Sequence, residues 1–293
     1  MRIGIVGLGR MGEAIAQRLR REGFEVVGWD RDAEANRRLA AAGLQIAADA
    51  RGAADGAAFV ISSITEDHGA RRIFTGPAGF LAGDVAGTLF IEMSTLRPMT
   101  GRELAPLVEA KDGRLIEAPV LGTIPQARDG RLLAMVGGRP EDLERARPVL
   151  GKLTARIAYM GLHGSGYAMK LAANVGLAAY VQALAESLAL GAKHGLTLEQ
   201  MLDVIADGPY ASGWLKAKLD VFKGGKADVT LDIRTLRKDI MSAVATGALC
   251  GVPMPLSAGT LAALSAAVAA DYGDRDLAEM PKFLRDAMLQ NFS

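Results

Sequence analysis

The pattern of apolar residues changes period once, near residue 160, and that change constrains the fold more than any other feature of this 293-residue chain. Before it, short β-branched runs predict strands at 2–7, 25–30, 58–62, 88–92, 114–117, 133–137 and 156–159. Helix patterns at about 13–22, 33–42, 66–74, 98–110 and 140–150 fall between most of them. Such alternation builds βαβ units and a mainly parallel, doubly wound α/β sheet. After it every segment reads as helix, at about 164–193, 197–206, 212–222, 232–249, 255–270 and 279–289. Two domains are expected, 1–162 with the sheet and 163–293 all-helical, joined by the long helix rather than by a Pro- or Gly-rich linker.

The first strand runs directly into Gly7-Leu8-Gly9-Arg10-Met11-Gly12 and then a helix. In that context Gly-x-Gly-x-x-Gly is a dinucleotide motif: Gly7 makes the turn, Gly9 admits a pyrophosphate to the backbone and Gly12 lets helix pack on strand. The first domain is therefore read as Rossmann-type, with Arg10 and Met11 in the cofactor loop. An acid about 20 residues on, at the end of the second strand, completes the motif, and Asp30 stands there. Its carboxylate suits ribose hydroxyls and repels a 2′-phosphate, which favours NAD over NADP. Arg31, Arg37 and Arg38 keep NADP open, because a guanidinium can pair with that phosphate.

Lys170 and Asn174 lie four residues apart on the long helix and share a face. Burying an ammonium is costly, and desolvation lowers a lysine from its ordinary pKa of about 10.4 toward acid–base use near neutrality. Spacing alone leaves open that Lys170 snorkels to solvent.

Several ordered motifs carry a resemblance over the whole chain: GLGRMGEAIA at 7–16, EMST at 92–95, EAPVLG at 117–122, the Gly-rich turn leading to Lys170 and Asn174, RKDI at 237–240 and YGDRDLA at 272–278. The sequence resembles the β-hydroxyacid dehydrogenase family, which includes 3-hydroxyisobutyrate dehydrogenase, tartronate semialdehyde reductase and the glyoxylate/succinic semialdehyde reductases. The resemblance implies hydride exchange between a nicotinamide and a small 3-hydroxy acid or its semialdehyde. Lys170 is then the general acid and base, and Asn174 orients substrate. It also implies cofactor contacts from Ser63, Ile64, Thr95 and Lys238, and substrate contacts from Ser94, Leu121, Gly122, Thr123 and Leu231. Two positions depart from the family. Leu121 replaces a serine of the substrate loop, leaving the amides of Gly122 and Thr123 and the Thr123 hydroxyl for a carboxylate. Leu231 replaces an aromatic of the glyoxylate/succinic semialdehyde group.

Charge and composition remove other classes. With 34 Lys and Arg against 33 Asp and Glu, and no block of five like charges, nucleic acid is not expected as a partner. The most apolar helix segment, 171–192, carries Asn174, Gln182 and Glu186, so it is expected to be buried rather than to span a membrane. The single cysteine, Cys250, and an N-terminus without an apolar signal segment suggest the cytoplasm. Cys250 itself is expected in the core. His68, His163 and His194 have no ligand-like neighbours, so no metal is expected. His163 either bonds locally in the Gly-rich turn or touches ligand. Tyr210 and Trp214 are read as aromatic packing or as a covered contact, and the apolar helices suggest a homodimer or homotetramer. Two rivals remain: an imine reductase of the same architecture, whose usual Asp or Tyr is Lys170 here, and a non-catalytic dinucleotide-binding protein.

Overall fold

In the computed structural model, which describes residues 1–225 and 229–290, the alternating half of the chain forms a nine-stranded sheet. Its elements run β1 (Arg2–Val6), α1 (Arg10–Arg21), β2 (Glu25–Trp29), α2 (Ala33–Ala41), β3 (Gln45–Ile46), α3 (Ala50–Ala54), β4 (Phe59–Ser62) and α4 (Asp67–Thr75). They continue with β5 (Leu89–Glu92), α5 (Pro98–Glu109), β6 (Arg114–Glu117), β7 (Val120–Leu121), α6 (Ile124–Asp129), β8 (Leu132–Gly137), α7 (Pro140–Leu153) and β9 (Thr154–Gly161). The strand order is β3-β2-β1-β4-β5-β6-β8-β7, with β9 paired to β8. All pairs are parallel except those of β8 with β6 and β7, which are antiparallel. The order reverses between β1 and β4, and the crevice at such a switch point is where doubly wound sheets bind ligand.

Side chains of each strand alternate between two cores. Ile3, Ile5, Phe59, Ile61, Leu89, Ile91 and Ile116 face one, together with Leu19 of α1 and Val149 of α7. Val6, Val60, Phe90 and Leu115 face the other, with Ala53 of α3, Phe74 of α4 and Leu104 of α5. There Phe74, Phe80 and Phe90 pack ring to ring at 4.9–5.2 Å. Helix α1 begins at Arg10, three residues before its predicted start, because Gly9 caps it and the helix opens inside the glycine loop. The two-residue strands β3 and β7 and the short helices α3 and α6 were not predicted, being too brief to show a period.

The helical half comprises α8 (Ser165–Lys193), α9 (Leu198–Asp207), α10 (Gly213–Phe222), α11 (Ile233–Cys250), α12 (Pro255–Ala269) and α13 (Met280–Gln290). The chain divides into compact units at Ala172/Ala173, inside α8 and ten residues beyond the predicted boundary at 162/163. By length and composition α8 could cross a membrane, but its buried residues form one stripe, with Ala178 and Val181 in one helical core and Leu184 and Leu188 in a second. The expectation of a buried helix needs correcting, since only a third of its most apolar stretch is buried within the chain. Cys250 also departs from expectation: it is exposed, at the C-terminal end of α11, where the apolar stripe has turned away from the core. Trp214 packs edge-on against Tyr180 and Phe222, while Tyr210 is 86% exposed.

Candidate active site

The predicted cofactor residues meet at the carboxyl ends of β1, β2 and β4. Gly7 donates its N–H to the Trp29 carbonyl, and Ser63 donates to that of Val6, so the loops after β1 and β4 lie side by side. A Cβ on Gly12 would stand 1.8 Å from the Gly7 carbonyl oxygen, whereas one on Gly9 would meet nothing within 4 Å. The backbone is thus closed at Gly12 and open at Gly9, which fits a pyrophosphate seated over the first turn of α1. Gly12→Ala forces the loop open, so about 1–3 kcal/mol of stability and more than about tenfold in dinucleotide affinity should be lost. Thermal melts and fluorescence titration with NADH and NADPH check this, and wild-type affinity would refute it.

Asp30 is half-buried and held from three directions. Its Oδ2 accepts the Leu8 N–H at 2.6 Å and its Oδ1 the Asp32 N–H at 2.8 Å. The Asn36 side chain clasps the Asp30 backbone, accepting its N–H at 2.9 Å and donating to its carbonyl at 2.7 Å. Of the arginines that kept a 2′-phosphate open, Arg37 pairs with Glu34 at 2.6 Å and Arg38 with Glu13 at 2.7 Å, while Arg31 is exposed. Arg10 is exposed, and Met11 packs partly buried against the sheet core.

Further along the same edge, Ser62, Glu92, Glu117 and Gly137 stand in one row across β4, β5, β6 and β8. Glu92 and Glu117 are fully buried. Ser94, predicted to touch substrate, is itself buried, with its hydroxyl donated to Glu92 and accepting the Ile64 N–H at 2.8 Å. Its side chain links the Ile64 loop to the acid ending β5. Thr95, next in the loop, is half-buried.

The Thr123 N–H, predicted to hold a carboxylate, donates to Gln126 Oε1 at 2.8 Å in a capping box that starts α6. Leu121 is half-buried and pairs with Leu133 of β8, and Gly122 is exposed. His163 has a buried Nδ1 that lies 4.0 Å from Glu117 Oε1. Burial pulls the pKa of its imidazole below the ordinary value. No predicted local hydrogen bond satisfies that Nδ1 among the described residues.

Lys170 is half-buried on α8, at the end of the sheet unit. Within the helical unit, buried Asn174 donates to Asp239 Oδ2 at 2.6 Å, and Lys238 Nζ lies 2.7 Å from Asp239 Oδ1. Asp239, 2% exposed, thus joins two predicted residues on different helices. Leu231 is half-buried, and its carbonyl accepts the Leu277 N–H at 2.9 Å. Beside it, Asp276 takes the buried Lys218 ammonium at 2.8 Å and both the N–H and hydroxyl of Thr230.

Sequence reasoning missed Asn36, Asp239, Tyr167 and the roles of Glu92 and Glu117. The last two had a readable signal, an acid closing an apolar buried strand. Asp239 had none, because its partner Asn174 lies 65 residues away.

A doubly wound sheet with an open glycine loop and an acid ending β2 defines a dinucleotide-binding oxidoreductase. Residues 2–161 match the family model described as the NAD binding domain of 6-phosphogluconate dehydrogenase, and 164–284 the one described as NAD-binding of NADP-dependent 3-hydroxyisobutyrate dehydrogenase. The chain is 32% identical to 3-hydroxyisobutyrate dehydrogenase of Pseudomonas aeruginosa, over 97% of this chain and 98% of that protein. It is 28% identical to glyoxylate/succinic semialdehyde reductase 1 of Arabidopsis thaliana, over 98% and 100% respectively. The solved Mycobacterium tuberculosis 3-hydroxyisobutyrate dehydrogenase with L-serine is 30% identical, with a TM-score of 0.85 and coverage of 97% and 99%. The chain belongs to the β-hydroxyacid dehydrogenase family and binds a nicotinamide cofactor.

Proposed function

We propose that this protein interconverts a small 3-hydroxy acid and its semialdehyde, using NAD in preference to NADP, with Lys170 moving the proton. The observation that carries this reading is Lys170 itself, half-buried on α8 in the same unit as the cofactor loops. The nicotinamide, when bound, supplies or accepts the hydride. In reduction the Lys170 ammonium gives a proton from Nζ to the oxygen of the substrate carbonyl, and in oxidation the amine takes it back. Asn174, its amide nitrogen engaged by Asp239, keeps its side-chain oxygen to orient a substrate hydroxyl. Lys238, drawn to Asp239, adds positive charge suited to a carboxylate. The relative crystallised with L-serine, a 3-hydroxy acid, supports that substrate class.

The test is the initial rate of reduced-nicotinamide oxidation, with NADH and with NADPH, over methylmalonate, tartronate and succinate semialdehydes, glyoxylate and cyclic imines. Turnover of an aldehyde acid supports the reading. Turnover of imines alone replaces it with an imine reductase, and cofactor binding without any turnover favours a non-catalytic role.

NAD preference rests on Asp30, with Arg37 and Arg38 engaged by carboxylates of their own. Asp30→Ala should weaken NADH by roughly 10–100-fold, the worth of hydrogen bonds to a charged acceptor, while changing NADPH only a few-fold. Equal effects in a titration of both cofactors would remove Asp30 as the discriminator. The reading includes a homodimer or homotetramer in the cytoplasm, supported by the exposed Met169 and Leu190 of α8 and by the lone cysteine. Light scattering after gel filtration measures the assembly.

A further inference from the structure

Glu92, Glu117 and Tyr167 take no part in the reaction proposed above, yet each is a polar group 0% exposed in the sheet unit. The two acids are register neighbours on β5 and β6. Glu92 faces the cofactor loops: Ser94 gives it both N–H and hydroxyl, and Ser94 Oγ in turn accepts the Ile64 N–H. From the opposite side the Tyr167 phenol donates to Glu92 Oε2 at 2.6 Å. Glu117 accepts the N–H groups of Gly164, Gly166 and Tyr167, around the start of α8. The cavity is filled to contact, since a Cβ on Gly101 would lie 2.1 Å from Glu117 Oε1 and one on Gly137 2.6 Å from Oε2.

β4 presents Ser62 and α5 presents Gly101, β8 presents Gly137, and α8 presents Tyr167 and its amides. His163 lies 4.0 Å from Glu117 with its pKa lowered by burial, and the Arg102 side chain packs against Gly164, whose N–H Glu117 accepts. Asp67 adds a further negative charge near Tyr167. Two buried carboxylates on adjacent strands repel each other, and burial makes that repulsion costly. Desolvation accordingly pushes both up to about 7, and Tyr167 stays protonated.

We propose that Glu92 and Glu117, bridged by Tyr167, retain a proton between them and brace the Ser94–Thr95 loop against the first turn of α8, so that Lys170 is positioned relative to the bound cofactor. These are positioning residues. The inference rests on the reading that Lys170 moves the proton, but its first half stands without it. Loss of the retained proton puts two charges into the brace and loosens it, so turnover falls as pH rises past that ionisation.

Two measurements test the proposal on the full chain. Infrared spectra between about pH 5 and 9 read proton retention from the carboxylic-acid carbonyl stretch. Wild type should keep such a band above about pH 6, where ordinary carboxyls have lost it, and Glu92→Gln or Glu117→Gln should diminish it. Absence of the band, or a band that neither variant changes, overturns the proposal. Positioning is read from Tyr167→Phe, which should lower kcat at least ~tenfold while the KM for cofactor stays within about threefold. Glu92→Gln, which keeps hydrogen-bonding atoms in place, should abolish the bend of the kcat profile near neutral pH. An unchanged kcat in Tyr167→Phe overturns the brace. If no substrate is turned over, the functional reading fails by itself, and the infrared spectra, which need no substrate, still decide proton retention.

Discussion

Lys170→Ala is expected to lower the rate of the chemical step by roughly 10²–10⁴ while leaving NADH affinity within a few-fold. The side chain is half-buried on α8 and reaches the reaction, on the proposed reading, solely as proton donor and acceptor. Removing it therefore leaves the glycine loop and Asp30 unaltered, and the cofactor should still bind. Single-turnover rates with pre-bound NADH separate chemistry from binding and release. A variant that retains wild-type single-turnover rates would sink the assignment of Lys170, and one that loses NADH affinity as well would show a structural role. Lys170→Arg sharpens the result, because a guanidinium keeps the charge but does not give up its proton near neutrality.

Folding stability should fall as pH rises from about 5 to about 7 and level off above that. Glu92 and Glu117 are raised from 4.5 to about 7, in both cases chiefly by desolvation, against hydrogen bonds from Ser94, Tyr167 and the Gly164 amide that pull the other way. Between those values the unfolded chain has already released a proton that the folded chain still binds, so raising pH favours unfolding. The proton the pair retains contributes on the order of 3 kcal/mol to that fall, a large part of an ordinary domain's stability. His163, depressed by burial, works in the opposite sense, adding stability as pH rises toward its ordinary 6.5. Asp276 is lowered from 3.8 and loses its contribution only in more acid solution, outside this window. Urea unfolding at pH values from about 5 to 8 measures the slope, which Glu92→Gln and Glu117→Gln should each flatten. A stability that is constant or rises across the range would show that these acids are ionised in the folded chain.

Most of the sheet unit was legible because its elements are long enough to show a period. β6 occupies its predicted residues, 114–117, and α5 and α7 begin at the predicted Pro98 and Pro140, where a proline fits the first turn of a helix. Short elements were not legible: Val120–Leu121 and Ile124–Asp129 are below the length at which alternation can be told from chance. Among site residues, the places of Gly7, Gly9, Gly12 and Asp30 at the ends of β1 and β2 could be read because they are local to one βαβ unit. Sequence could not show that the Ser94 hydroxyl and the Thr123 amide, expected to meet substrate, are each engaged by a neighbouring side chain. Glu92 claims the first and Gln126 the second.

The sequence by itself determined the class of each half, the place of the dinucleotide loop and the position of the lysine on a long helix, since each depends on periodicity or on spacing within about thirty residues. Tertiary structure alone decided which polar groups stand together. Asn174 meets Asp239 across 65 residues and Tyr167 meets Glu92 across 75. The electrostatic state of those groups followed from the same step. A glutamate in EMST or EAPVLG is an ordinary acid until folding strips its water and sets another acid beside it on the next strand.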